Sequence, residues 1–121
     1  MKSDGLGIDI VEFERIKTII DERFINRVLS DAEKTLYERI SRTDRKIEFL
    51  AGRFAAKEAY SKAYQIFEEP LNFRDVSILN APSGAPYVQS KYKEEDTVLI
   101  SISHSENYAV AVCMLYRGDK Q

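Results

Sequence analysis

Three short segments put reactive side chains where packing alone would favour something else. Glu58 and Lys62 stand one helical turn apart in Phe54-Ala55-Ala56-Lys57-Glu58-Ala59-Tyr60-Ser61-Lys62, and the positions at helical spacing before Glu58 are Phe54, Ala51 and Ile47. A carboxylate that continues an apolar stripe is costly unless it is paired, hydrogen-bonded or bound to a cation. Leu6-Gly7-Ile8-Asp9-Ile10-Val11 reads as a strand, with Leu6, Ile8 and Ile10 on one face and Gly7, Asp9 and Val11 on the other. Aspartate is depleted in strands because it neither packs well nor tolerates lone burial. In Ser101-Ile102-Ser103-His104-Ser105, hydroxyls alternate with apolar residues, and the single histidine of the chain comes at the strand's end. Each segment has a plainer reading: a surface pair of Glu58 and Lys62, an exposed Asp9 on an edge strand, a hydrogen-bonded structural His104. Taken together, Asp9 and Glu58 suggest two carboxylates converging on one hard cation.

Two carboxylates without thiols or a second histidine make a poor zinc site and a reasonable magnesium site, because magnesium takes oxygen ligands and keeps several waters. A half-filled shell of that kind suits phosphate oxygens. Lys62 would then neutralise charge on a transferring or leaving phosphate. The chain has no Gly-x-x-x-x-Gly-Lys-Ser/Thr loop and no Gly-x-Gly-x-x-Gly, which argues against an ordinary nucleotide-triphosphate or dinucleotide enzyme. One histidine among several serines does not define a Ser-His-Asp arrangement.

The elements that must position these groups follow from periodicity. After the first strand, Phe13, Ile16, Ile19 and Ile20 recur at helical spacing, and a second helical piece carries Phe24, Ile25, Val28 and Leu29, with Arg23 and Arg27 one turn apart. Ser30-Asp31-Ala32-Glu33 has the form of a capping box, opening a helix to about Ile40. Ser41 or Thr43 is expected to cap the next helix, which runs to about Gln65. Gly52 inside that helix suggests a second backbone packed close by. Beyond Pro70, Val76, Ile78 and Leu79 suggest a strand, Ala81 to Pro86 a turn leading to Tyr87-Val88, and Thr97 to Ser103 and Tyr108 to Tyr116 a hairpin. The order of strand, helices and then strands argues for an α+β fold with helices packed on a mostly antiparallel sheet.

With 121 residues, 44% of them hydrophobic, the chain suits one domain over 1–121 and is too short for two independent cores. The formal net charge of −2 hides a basic stretch, in which Arg39, Arg42, Arg45, Lys46, Arg53, Lys57 and Lys62 outnumber Asp44, Glu48 and Glu58. Such a patch attracts phosphates or an acidic protein; the alternative is an ordinary charged helix surface. Cys113 is the single cysteine, which excludes an intramolecular disulfide and a cysteine zinc site and suggests a buried, inert thiol. No signal-peptide pattern and no stretch of membrane-helix length is present, so a cytoplasmic protein without a membrane or nucleic-acid partner is expected.

Gly7-Ile8-Asp9-Ile10-Val11-Glu12, the Phe54 to Lys62 segment and Ser101 to Ser105, with Phe49-Leu50-Ala51-Gly52-Arg53, resemble in order and separation the signature segments of the holo-acyl-carrier-protein synthases, small bacterial 4′-phosphopantetheinyl transferases. The resemblance covers essentially the whole chain. It implies the 4′-phosphopantetheinyl transferase fold and a magnesium-dependent transfer of 4′-phosphopantetheine from coenzyme A to a serine of apo acyl carrier protein. Adenosine 3′,5′-bisphosphate would be released, in support of fatty acid biosynthesis. Carried over by position, Asp9 and Glu58 would bind magnesium and Lys62 would stabilise charge as the pyrophosphate bond breaks. Glu58, directly or through a metal-bound water, would accept the serine proton. Arg53 and His104 would contact the phosphates or ribose of coenzyme A, and the Gly84 to Pro86 turn would lie against adenine. The resemblance also implies homotrimers with shared active sites, and docking of the acidic carrier through Arg15, Arg23 and Arg27. The chain departs from the family at Tyr64-Gln65-Ile66-Phe67-Glu68-Glu69, where a glycine-containing turn is usual. The competing reading from another class is a non-catalytic module that holds coenzyme A or another phosphorylated ligand on Arg53, Lys62 and His104.

Overall fold

The computed structural model describes residues 4–64, 71–92 and 95–118. Strand β1 (Gly5–Glu12) runs directly into helix α1 (Phe13–Ile19), followed by α2 (Glu22–Val28), α3 (Asp31–Glu38) and the long α4 (Thr43–Tyr64). A 3₁₀ turn at Phe73–Asp75 leads into β2 (Val76–Asn80), β3 (Pro86–Ser90), β4 (Thr97–His104) and β5 (Tyr108–Tyr116). The strands form an antiparallel sheet in the order β1-β5-β4 and a separate antiparallel hairpin of β2 and β3. This is the α+β arrangement expected from the order of elements.

Helix α4 is the axis of the molecule. Its residues Leu50, Ala51, Ala55, Ala56, Ala59, Tyr60, Ala63 and Tyr64 are buried, and it packs on all three strands of the larger sheet, on β2 and on the three shorter helices. The alanines let strand backbone come close. A Cβ added at Gly7 would stand 1.9 Å from the Ala59 carbonyl oxygen, and one at Gly5 would stand 2.0 Å from that of Ala63. Two residues along a strand cover about 6.6 Å and four along a helix about 6 Å, so Gly5 and Gly7 seat on successive turns of α4 in register. The seat carries the next inward residue, Asp9, to the stretch of α4 that bears Glu58 and, one turn on, Lys62.

The close approach is therefore at Gly5 and Gly7, whereas at Gly52 an added Cβ would meet only the Ile102 methyl at 3.4 Å. The start of α4 also differs from expectation. Thr43 is its first residue and the Lys46 N–H donates to the Arg42 carbonyl, so neither Ser41 nor Thr43 is the flanking cap. The expected end at Gln65 and the departure from the family at 65–69 lie outside the described residues.

The capping box at α3 is formed in full: Ser30 Oγ accepts from the Glu33 N–H, and Glu33 Oε1 accepts from the Ser30 N–H. Glu33 does more than cap, because it is fully buried and pairs with the equally buried Lys57 ammonium. Its second oxygen accepts from the Ile78 N–H at 2.8 Å. Lys57 thus leaves the basic patch read from sequence, and Arg42 and Arg45 are paired locally with Asp44 and Glu48. Cys113 is buried as expected, and burial pushes its thiol up to about 12.

Substituting Gly7→Ala is expected to destabilise the protein by about 3 kcal/mol in denaturant unfolding, because no side-chain movement relieves a clash with backbone oxygen. An unchanged midpoint would show that β1 does not need this seat.

Candidate active site

Asp9 and Lys62 meet across the seat of β1 on α4. The Lys62 ammonium donates to Asp9 Oδ1 at 3.0 Å and to the Ile8 carbonyl at 3.0 Å. The sequence left a surface pair of Glu58 and Lys62 open; the lysine instead crosses to the strand. Asp9 is on an edge strand, as its plainer reading required, but its side chain is only 17% exposed because its face of β1 lies against the helix.

Glu58 sits half-buried beside this pair, and among the described residues no hydrogen bond or ion pair reaches its carboxylate. Burial raises its pKa above the usual glutamate value, and the negative charge of Asp9 adds to the shift; Lys62 and Arg15 oppose it. The site holds two acids in a partly desolvated corner with one lysine between them. That donor set fits a hard divalent cation completing its shell from water and substrate oxygens, and Asp9 and Glu58 are the side chains that could hold it. Among the described residues there is no cluster of three or more His, Cys, Asp or Glu side chains, so the protein would supply only part of the shell.

A cleft of about 500 Å³ opens beside Glu58, lined by Arg27, Val28, Phe54, Leu71, Asn72 and Phe73. Its apolar walls come from α2, α4 and the segment Leu71 to Phe73, and among the described lining residues Arg27 is the one cationic side chain. Arg23 and Arg27 also flank a second depression with Ile19, Asp21 and Phe24. Arg15, Arg23 and Arg27 are all exposed, so the three arginines singled out from sequence lie around the Glu58 side of the molecule.

Arg53, Gly84, Pro86 and His104 form a different group. Arg53 is buried, with its guanidinium stacked over Phe49; its Nε donates to the Ile78 carbonyl and its Nη2 to Asn80 Oδ1 at 2.7 Å. Asn80 in turn donates to the Gly84 carbonyl at 2.9 Å and pairs with Pro86 in the β2–β3 ladder. Gly84 has φ of 92°, a backbone region that requires glycine in this turn. Arg53 and His104 together line a small pocket of about 130 Å³, and His104 also borders an open depression with Ile10 and Tyr108.

Among the described residues, Glu58 lines the cleft of about 500 Å³, whereas Arg53 and His104 line the pocket of about 130 Å³. Arg53 and Glu58 are five residues apart on α4, which separates them by about 7.5 Å along the axis and roughly 140° around it. Sequence reasoning identified both groups and missed what lies between them: Asn80, the cleft walls and the pair of Lys57 and Glu33. Lys57 was legible in principle, since Leu50, Tyr60 and Tyr64 stand at helical spacing from it and mark its stripe as buried.

Comparison with known proteins gives a consistent picture. The family model described as the 4′-phosphopantetheinyl transferase superfamily matches residues 5–113. A holo-[acyl-carrier-protein] synthase from Acholeplasma laidlawii is 44% identical over 111 residues, covering 92% of this chain and 94% of its own. One from a Geobacillus species is 46% identical over 116 residues, covering 93% of this chain and 96% of its own. Among solved structures, a holo-(acyl-carrier-protein) synthase from Bacillus anthracis in complex with CoA (3′,5′-ADP) superposes with a TM-score of 0.86 at 39% identity, covering 96% of this chain and 98% of that one. The Helicobacter pylori synthase in complex with coenzyme A gives 0.77 at 34% identity, with 92% and 99% covered.

Proposed function

The chain belongs to the 4′-phosphopantetheinyl transferase superfamily, and from that premise we propose that it transfers 4′-phosphopantetheine from coenzyme A to a serine hydroxyl of apo acyl carrier protein. The observation that carries this reading is the meeting of Asp9, Lys62 and a Glu58 without a hydrogen-bond or ion-pair partner among the described residues, beside an open cleft. In the reaction the serine oxygen forms a bond to the β-phosphorus of coenzyme A, the pyrophosphate bond breaks, and adenosine 3′,5′-bisphosphate leaves. Magnesium, held by Asp9 and Glu58, would supply charge neutralisation on the pyrophosphate oxygens.

The chain's own residues account for the rest. Glu58 is the candidate to take the serine proton, directly or through water: its carboxylate is free among the described residues, and its raised pKa makes it a better base than an ordinary glutamate. Lys62 stands at the strand end of the site and can turn its ammonium from Asp9 to the leaving phosphate as charge develops there. Arg53 and His104 would receive phosphate or ribose oxygens of coenzyme A, and the Gly84 to Pro86 turn its adenine. Arg15, Arg23 and Arg27 would dock the acidic carrier on the side where Arg27 and Glu58 share the cleft. The reading includes a single domain over 1–121, a role in fatty acid biosynthesis and a cytoplasmic location.

Assembly is part of the same proposal. Leu6, Ile8 and Ile10 on β1, Leu99 on β4 and Val112 on β5 form an outward apolar face, with Ile8 60% and Ile10 64% exposed. A homotrimer built on that face would cover it and bring the Arg53 and His104 group of one subunit towards the Glu58 group of the next. His104 lies at the rim of this face beside Ile10, which favours that arrangement.

Incubation with apo acyl carrier protein, coenzyme A and magnesium is expected to add the mass of phosphopantetheine to the carrier; Glu58→Gln is expected to lower kcat by at least about 100-fold with the fold intact. No mass gain on a folded carrier counts against the transferase, and full activity of Glu58→Gln removes that residue from the chemistry. Light scattering is expected to give three times the 13.9 kDa chain mass, and Leu99→Asp to give monomers that no longer transfer. A monomeric, active wild type would contradict the shared site.

A further inference from the structure

Lys57 carries an ammonium into the centre of the molecule and uses all three of its donors there. Its Nζ donates to the Val28 carbonyl at 2.7 Å, to the Phe73 carbonyl at 2.8 Å and to the Glu33 carboxylate. The side chain has no exposure, so Lys57 cannot touch a substrate, although it precedes Glu58 in the chain. What it holds is specific. Val28 ends α2 next to Arg27, Phe73 opens the 3₁₀ turn, and both residues line the cleft that Arg27 and Glu58 also line.

A methionine would fill much the same space without a charge to desolvate, and buried ion pairs are weak sources of stability compared with apolar packing. The burial that lowers the Lys57 pKa is a cost that Glu33 only opposes. Directional bonds to two carbonyls, each from a different wall, are what the ammonium supplies and methionine cannot. Helix dipole and bond coincide at Val28, where the last carbonyls of α2 lack partners within the helix. Glu33 is itself fixed, because its oxygens also accept from the Ser30 and Ile78 N–H groups.

We infer that Lys57, backed by Glu33, is a positioning residue for the transfer, holding the α2 and 3₁₀ walls of the cleft at a set distance from Glu58. The inference rests on the transferase reading for its kinetic consequence and on geometry alone for its structural one. Loss of the clamp lets Arg27 and the bound carrier shift relative to Glu58, so the expected defect is in kcat. Docking charges are retained, and KM for the carrier should change little.

Lys57→Met is compared with Ile47→Ala, a buried substitution in the first half of α4 away from the cleft, each assayed at a temperature where it is folded. Lys57→Met is expected to lower kcat by about 100-fold with KM for the carrier changed by less than about 3-fold, while Ile47→Ala keeps kcat within about 3-fold. Equal kcat values for the two variants overturn the inference. Should Lys57→Met not fold, Glu33→Gln carries the test: a kcat loss of at least about ten-fold supports the clamp, and one no greater than that of Ile47→Ala overturns it. Hydrogen exchange separates this from the function itself. If wild type transfers nothing, the transferase reading fails, yet amides of 71–80 should still exchange at least about ten-fold faster in Lys57→Met, or in Glu33→Gln, than in Ile47→Ala. Equal exchange overturns the clamp whatever the activity.

Discussion

The approach of β1 to α4 sets everything else in this molecule. Gly5 and Gly7 lie so near the carbonyls of Ala63 and Ala59 that a side chain has no room, and this contact alone decides where Asp9 falls. A strand held off by side chains at positions 5 and 7 would leave a short aspartate farther from the helix. Here the strand comes in far enough for Lys62 to bond both the Ile8 carbonyl and the Asp9 carboxylate. The glycines thus bring two acids from segments far apart in sequence into one corner, where burial raises the Glu58 pKa and the charge of Asp9 adds to the shift.

A second constraint works from the opposite side of α4. Glu33 caps α3, accepts from the β2 backbone at Ile78 and neutralises Lys57, while Arg53 one turn earlier bonds the Ile78 carbonyl and Asn80. The network runs from the cleft beside Glu58 to the hairpin that carries Gly84. The walls of the Glu58 cleft and the hairpin are therefore fastened to the same helix through polar bonds, and among the described residues no buried side-chain nitrogen or oxygen lacks a partner. Helix α4 separates the two groups by about 7.5 Å along its axis, and on the proposed reading each would meet a different part of coenzyme A.

Much of this was legible because the informative residues violate local rules. An aspartate on a strand's inner face, a glutamate continuing an apolar stripe and a serine-rich strand ending in histidine each depart from local packing rules, and each lies in one of the two candidate groups. The helices, the capping box at Ser30 and Glu33 and the closing hairpin followed from periodicity and capping chemistry. What escaped was non-local. The stripe of Leu50, Tyr60 and Tyr64 hints that Lys57 is buried while Lys62 is exposed, but its partners Glu33, Val28 and Phe73 come from segments that only the fold brings together. Gly52 drew attention as a helix glycine, whereas the close approach belongs to glycines in a strand, where their small size is read only from the partner helix. The separation of Arg53 from Glu58 follows from their angular spacing on α4.

The central claim is that Asp9 and Glu58 act on one divalent cation, and manganese binding followed by electron paramagnetic resonance tests it most directly. Wild type, Asp9→Asn, Glu58→Gln and the double variant would be titrated with the metal in the presence of coenzyme A. The account expects each single variant to weaken binding at least about ten-fold, and the double variant to bind scarcely more weakly than either, as coupled ligands of one ion require. A single variant with wild-type affinity, or losses that simply add, would mean that the two carboxylates do not share an ion.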